Sequence, residues 1–207
     1  VLPESAGVID PQIIAARNHQ TERSEVIDYQ LELFLDKAIN QAKLATNPNK
    51  DKKLTVMFWG DRDMGASFMN VPESLRAISH RLEKEGYSIK GVEAEYFIDR
   101  VNRLLDPFYR DFELDKLLDD DLAELLPVSD YKKWLASLPE NVVKPISEQW
   151  GQPEDNFMVV KRDNKKYFVI PRIRNGNMLV LRQPPRGNSK DKEMGLYHNT
   201  KVPMNHY

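Results

Sequence analysis

The sequence predicts an α/β protein: a three-layer open sheet with at least one buried parallel strand, several helices and a C-terminal β-hairpin. Three observations predict it. Residues 54–59, Leu-Thr-Val-Met-Phe-Trp, form an almost unbroken apolar run, as suits a strand buried on both faces of a parallel sheet. A loop with two glycines follows and leads into a helical stripe of Val71, Leu75, Ile78 and Leu82. Further on, Asn175-Gly176 divides two strand-like runs. It is the strongest hairpin signal in the chain and reads as a type I′ turn, with positive φ at both central residues.

The elements follow in order. Pro3, Gly7 and Pro11 make the start loop-like, and Ile13, Ile14 and Ala15 suit a short strand or a helical turn. Ser24 is placed to cap a long helix over 25–46, with Ile27, Leu31, Phe34, Ala38, Ala42 and Ala45 as its apolar stripe and Asn47-Pro48-Asn49 ending it. After the strand at 54–59, Asn70 and Glu73 make a capping-box-like pair for the next helix, and Gly86 suits a left-handed C-terminal position. Residues 87–92 read as a second short strand. Residues 93–105 read as a helix broken by Asp106-Pro107. Leu114, Leu117, Leu118, Leu122, Leu125 and Leu126 form a further helical stripe, with the acidic run Asp119-Asp120-Asp121 as a solvated face or a break. Ser129 and Asp130 open a helix with Trp134 and Leu135. Pro139 restarts the chain into another, which Gly151 stops. From Phe157 the period changes to that of strands, at 157–160, 166–174 and 178–181, with a turn at Asp163-Asn164. On this pattern the chain divides into residues 1–50, an N-terminal segment with a long helix packing on the core, and residues 51–207. The latter form an α/β core with a helical insert at 93–151, the hairpin and an irregular tail.

Composition excludes several classes. The chain has 207 residues, 41% hydrophobic and 30% charged, which suits a folded globular protein. Thirty basic against 32 acidic side chains leave a net charge of -2, with no basic field for nucleic acid and no polybasic membrane patch. No apolar run approaches the roughly 20 residues of a membrane helix. With no cysteine there is no disulfide framework, thiolate metal site or cysteine nucleophile. The chain begins at Val1 without an initiator methionine or signal peptide, which suggests a mature product or a piece of something longer.

Candidate chemistry gathers in loops. Asp61 and Asp63, at the end of the apolar strand, have the oxygen ligands for a hard divalent cation, or they flank Arg62 in a charged surface turn. Gly65-Ala66-Ser67 can cradle an anion on backbone N–H groups or serve close backbone packing. It lacks the Walker and dinucleotide glycine patterns. His198 and His206, with Asp191 and Glu193, have metal-ligand chemistry or act as ordinary hydrogen-bonding residues. In Gln183-Pro184-Pro185-Arg186-Gly187 two prolines after a strand stiffen the backbone. They present Arg186 either to a carboxylate or simply to solvent.

Several short pieces, in order along the whole chain, carry a family resemblance. They are Leu2-Pro3-Glu4, Gly65-Ala66-Ser67-Phe68-Met69-Asn70-Val71 with Glu73-Ser74-Leu75, and Glu85-Gly86-Tyr87. Then come Leu126-Pro127-Val128 with Asp130-Tyr131 and Trp134, Leu138-Pro139-Glu140, Trp150-Gly151, and Gly176-Asn177. The last are Gln183-Pro184-Pro185-Arg186-Gly187, Tyr197-His198, and Pro203 with His206-Tyr207. The chain thereby resembles the large subunit of the ATP-dependent tetrapyrrole metal chelatases, the cobaltochelatase CobN subunit and the magnesium chelatase H subunit, with the CobN branch nearer.

The resemblance implies an internal piece of a very large subunit. That subunit binds a corrin or porphyrin and inserts a divalent metal, cobalt in cobalamin biosynthesis by default, or magnesium. ATP is hydrolysed by partner AAA+ subunits acting with a metal-ion-site adaptor subunit, and none is bound here. The family's histidine–glycine–x–x–glutamate stretch, placed at the metal-insertion site, lies beyond Tyr207, so no catalytic residue is expected here and the piece alone is expected to be inactive. Gln183, Arg186, His198 and His206 are the implied substrate-binding candidates, with Asp61 and Asp63 as a second choice for metal. The family's proline-proline and lysine before the Gly-Ala-Ser step are replaced by the shorter Trp59-Gly60-Asp61-Arg62-Asp63-Met64. That departure leaves open a paralogue that removes iron from haem or handles another porphyrin. A non-catalytic tetrapyrrole-binding scaffold also fits the pattern, and spacing alone fits a small metal-dependent transferase using Asp61 and Asp63. The implied compartment is the cytoplasm, or the periplasm for a haem-related paralogue.

Overall fold

The computed structural model describes residues 11–61, 64–65, 69–110, 113–184, 203 and 205–207. The chain forms two compact units, Val1–Lys52 and Lys53–Tyr207. No helix of the described residues is long and apolar enough to cross a membrane.

In the first unit β1 (Ala15–Arg17) pairs antiparallel with β2 (Ser24–Val26). The Glu25 carboxylate accepts hydrogen bonds from Asn18 Nδ2 (2.7 Å) and Thr21 Oγ1 (2.6 Å), which hold its pKa below the ordinary carboxylate value. Helix α1 (Asp28–Thr46) follows, with Ile27 at its N-cap and no side-chain cap. The expected Ser24 cap is therefore displaced. The peptides of residues 24–26 are drawn into the ladder with β1, and the helix starts only where that partner ends. None of α1's residues is buried, its apolar stripe included.

The second unit is built on two three-stranded sheets. The first has the order β3 (Leu54–Phe58), β10 (Met178–Arg182), β9 (Ile173–Asn175). Here β10 runs parallel to β3 and antiparallel to β9. The α/β class thus holds, with a parallel pair and the hairpin in one sheet. The strand with the more continuous burial is β10, not β3. Along β3, Leu54, Val56 and Phe58 face the core while Thr55 and Met57 are exposed, because alternate side chains point to opposite faces and only one face of β3 is covered among the described residues. The second sheet has the order β6 (Ala123–Pro127), β8 (Lys165–Pro171), β7 (Val159–Arg162), all antiparallel.

Six helices of the described residues surround these strands: α2 (Val71–Lys84), α3 (Ala94–Arg103), α4 (Asp106–Tyr109), α5 (Leu114–Asp119), α6 (Val128–Leu135) and α7 (Glu140–Trp150). Phe97, Val101, Phe168, Val169, Met178 and Val180 are fully buried and join both sheets and the helices in one core.

The structure revises four expectations in this unit. The leucine stripe at 114–126 is not one helix. Asp121 adopts φ 52°, which ends α5, and residues 123–127 gain a ladder on β8. The acidic run is not simply solvated, since Asp120 pairs with Arg103 (2.6 Å) and Asp121 with Arg172 (2.5 Å). Residues 87–92 form no strand. Their polar backbone groups are met by side chains instead: Asn175 bonds both Lys90 N–H (3.1 Å) and Lys90 C=O (2.7 Å), and Ser79 Oγ accepts Val92 N–H. The two turns exchange character. Asp163 and Asn164 both have positive φ, whereas the β9–β10 loop is Gly176-Asn177, with positive φ at Gly176 alone and Asn175 opposite Met178.

Arg172 lies at the corner where β8 passes into β9 and the chain changes sheets. Its N–H donates to Leu122 C=O (2.8 Å), and its buried guanidinium reaches the Asp121 carbonyl and the Asp121 and Glu124 carboxylates. That fork ties the corner to the α5–β6 turn.

Candidate functional site

The parallel pairing decides which loops meet. At one end of the pair Leu54 N–H donates to Asn177 C=O (2.9 Å); at the other, Gln183 N–H donates to Phe58 C=O (2.9 Å). Phe58 lies opposite Arg182, so Trp59 and Gln183 leave the sheet side by side, at the carboxyl ends of two parallel strands. In open α/β sheets that end forms the ligand crevice.

Two loops meet there. After Trp59, which is half exposed, the chain makes a two-residue antiparallel pair, β4 (Gly60–Asp61) with β5 (Met64–Gly65). It then reaches Asn70, whose Oδ1 accepts Glu73 N–H (3.1 Å) and caps α2. The capping box expected at this position is half realised, because Glu73 turns instead to Arg76 (2.7 Å). Val71 and Leu75 bury the first turns of α2, so the helix start is fixed close behind the loop. From β10, Gln183 and Pro184 emerge partly buried.

Beneath this end lies Arg182, which the sequence reading did not single out. Its side chain is buried, its Nη1 donates to Val101 C=O in the last turn of α3 (3.2 Å), and its guanidinium stands 5.7 Å from the centre of the Phe58 ring. A cation at a helix C-terminus is favourably placed. The alternation Met178, Val180, Arg182 was the available signal, since it puts a charge where the pattern demands an inward side chain.

The candidate residues separate. Gln183 is at the carboxyl end of the pair, and Asp61 lies in β4 on the neighbouring loop. Asp63, Arg186 and His198 lie outside the described residues. His206 is elsewhere, buried against α6 and the end of α7. Its Nε2 is 3.0 Å from Gly151 C=O, which can only accept, so that nitrogen carries the proton. Its Nδ1 then accepts from the Tyr131 hydroxyl at 3.1 Å. Burial raises the Tyr131 pKa, which keeps that hydroxyl protonated. Trp150 Nε1 donates to Pro203 C=O (2.9 Å), Asn156 Nδ2 to Asn205 Oδ1 (2.6 Å), and the partly buried Tyr207 ring meets Phe108 at 5.3 Å. No hydrogen bond among the described residues joins His206 to Gln183. His206 uses both ring nitrogens to pin the tail.

Among the described residues no group of three or more histidines or carboxylates is arranged to hold a metal ion. The carboxyl end of the pair instead carries the exposed apolar side chains of Met57 and Trp59 near the partly buried Gln183 and Pro184. It can receive a flat apolar body and address its polar edge.

Comparison with known proteins agrees with this architecture. The family described as CobN/Magnesium Chelatase matches residues 1–207. The chain is 26% identical to the magnesium-chelatase subunit ChlH of Oryza sativa subsp. indica, over 98% of this chain and 14% of that protein. It is 27% identical to the aerobic cobaltochelatase subunit CobN of Pseudomonas aeruginosa, over 96% of this chain and 16% of that protein. Its fold superposes on the catalytic subunit of cobaltochelatase from Mycobacterium tuberculosis with a TM-score of 0.71 and 20% identity, covering 95% of this chain and 16% of that one. The chain therefore spans about a seventh of the length of the curated relatives it matches.

Proposed function

This chain belongs to the CobN/magnesium chelatase family, and from that premise we propose that it forms one wall of a tetrapyrrole-binding cleft in a CobN-like chelatase large subunit. The full subunit inserts a divalent metal into the macrocycle, cobalt into a corrin by default. Partner AAA+ ATPase subunits hydrolyse ATP, and an adaptor subunit links them to the large subunit. The metal and the macrocycle are substrates, and this stretch holds the macrocycle rather than carrying out the insertion.

The observation that carries this reading is the parallel pairing of β3 and β10, which brings the loop after Trp59 beside Gln183-Pro184. A tetrapyrrole is a flat apolar disc with a polar, carboxylate- or amide-bearing rim. Trp59 and Met57 offer the apolar contact, and the Gln183 amide and the Arg186 guanidinium address the rim. His206 acts at one remove, by holding residues 205–207 in place. Identities of 26% and 27% to a magnesium and a cobalt chelatase do not rank porphyrin against corrin, so both macrocycles belong in the test.

The test is titration of the full-length subunit with a metal-free corrin and a metal-free porphyrin, followed by absorbance, for the natural sequence and for Arg186→Ala. One macrocycle is expected to bind. Arg186→Ala is expected to weaken it about ten- to a hundredfold, as for a lost charge-assisted contact of roughly 1.5–3 kcal/mol. Binding of neither would defeat the reading. Unchanged affinity in the variant would remove Arg186 from the site.

A further inference from the structure

The bonds at the two ends of the parallel pair also fix which way each β3 peptide faces. In a parallel ladder alternate residues turn both N–H and C=O to the same neighbour. Leu54 donates to Asn177 and Phe58 accepts from Gln183, so Leu54, Val56 and Phe58 turn to β10. Thr55 and Met57 turn their N–H and C=O groups the other way. Among the described residues no strand lies on that side, because β3 is the outer strand of its sheet. Met57 and Trp59 are 58% and 49% exposed.

Folded proteins blunt their edge strands with charge, proline, a bulge or very short length. The other edge of this sheet is blunted in that way: β9 has three residues, carries the exposed Arg174, and starts two residues after Pro171. Along β3 the run Leu54-Thr55-Val56-Met57-Phe58-Trp59 has no charge, no proline and no glycine. Its β-branched, aromatic and apolar composition is that of an interior strand. Among the described residues one edge of the sheet is finished and the other is bare.

We propose that in the full-length polypeptide the bare edge of β3 pairs with an extended segment of the same chain lying outside residues 1–207. The relatives leave ample chain for it, since this stretch accounts for only 14–16% of their length. The added strand meets the Thr55 and Met57 peptide groups. It also makes β3 an interior strand, so that the loop after Trp59 leaves the sheet between two neighbours. The crevice at the carboxyl ends is then closed on its second side by whatever follows the added segment. This pairing is independent of which ligand the crevice takes.

The test is amide hydrogen exchange resolved to single residues in the full-length subunit, at several protein concentrations. Thr55 and Met57 N–H are expected to be protected to within about tenfold of Val56 and Phe58 N–H, at every concentration. Fast exchange at Thr55 and Met57 beside protected Val56 and Phe58 would show an open edge and overturn the proposal. Protection that grows with protein concentration, or that needs added partner subunits, would assign the edge to a second copy or to another protein and overturn it equally. A second variant checks the same bond. Met57→Pro removes only an outward-facing N–H. It is expected to raise the exchange of Thr55 at least about tenfold while Val56 and Phe58 stay protected. An unchanged exchange pattern in Met57→Pro would also count against the pairing.

Discussion

Gly176→Ala tests how the site-bearing sheet is held. Gly176 has φ 58°, and a Cβ built there would lie 2.1 Å from the Ser88 carbonyl oxygen and 3.1 Å from its carbon. Both are backbone atoms, so no side chain can swing aside. The approach is close because Asn177 N–H donates to that same Ser88 oxygen at 2.8 Å. Beside it, Asn175 makes its two hydrogen bonds with Lys90. Alanine forces the β9–β10 turn away from residues 88–90 and endangers all three bonds. Positive φ with a Cβ costs about 1–2 kcal/mol, and three net hydrogen bonds are worth roughly 1 kcal/mol each. The expected loss is about 4–5 kcal/mol. Gly86→Ala is the control: Gly86 has φ 79° but nothing within 4 Å of its Cβ position, so only the backbone cost of about 1–2 kcal/mol applies. Urea unfolding gives both values, and the thermal midpoint should move by about 2–4 °C per kcal/mol. Equal losses in the two variants would refute the reasoning, because the Ser88 contact would then constrain nothing.

Arg172→Met should lower unfolding stability by about 2 kcal/mol, since one buried guanidinium serves the Asp121 carbonyl and two carboxylates at the corner between the sheets. Asp121→Asn should cost less, because its carboxyl side is 80% exposed and Glu124 remains; urea midpoints that reverse this order would contradict the corner's role. Burial raises the Tyr207 phenol above its ordinary pKa of about 10, so the folded chain keeps a proton that the unfolded chain releases. The stability tied to that proton is present below about pH 10 and is lost above it. Tyr207→Phe should flatten the alkaline fall in the unfolding midpoint, and parallel curves for the two proteins would disprove the link.

The fold was legible wherever a local pattern and its tertiary partner agree. The helix at α2 could be read from Asn70 and a stripe whose Val71 and Leu75 are indeed buried. Gly151 ends α7 with a positive φ, as its position suggested. The misread elements share one cause: a partner outside the element overrode a local pattern. Leu125 and Leu126 continue the helical spacing of the leucines before them, yet β8, some forty residues later in the sequence, offers them a ladder. Residues 24–26 suit a helix start until β1 takes them. Residues 87–92 have strand-like composition, but Asn175 satisfies Lys90 from the side and no ladder forms. The β6–β8 ladder and the Asn175–Lys90 bonds span forty residues or more and leave no mark within an eleven-residue window.

The site was legible in part, and for a definite reason. Gln183 could be placed at a strand end from its own neighbourhood, but the company it keeps depends on β10 lying parallel to β3, more than a hundred residues away. Chemistry-bearing residue types mislead where burial decides their role. His206 has the same side chain whether it faces a ligand or a core, and only the fold shows its Nε2 proton on Gly151 and its Nδ1 facing Tyr131. Arg182 shows the converse, a cation inside the sheet that alternation alone flags. The three placements bear on one question, how a loop in this chain is held still enough to recognise a ligand. The strand before Gln183 is anchored through Arg182 to α3. Among the described residues the strand before Trp59 is anchored on one edge only. Pro203, Asn205 and His206 are clamped at Trp150, Asn156 and Gly151. Two of the three supports are complete within this chain. The third, at the bare edge of β3, is completed only if another strand lies there, and rigidity at the loop after Trp59 should appear in the full-length subunit together with protection of Thr55 and Met57.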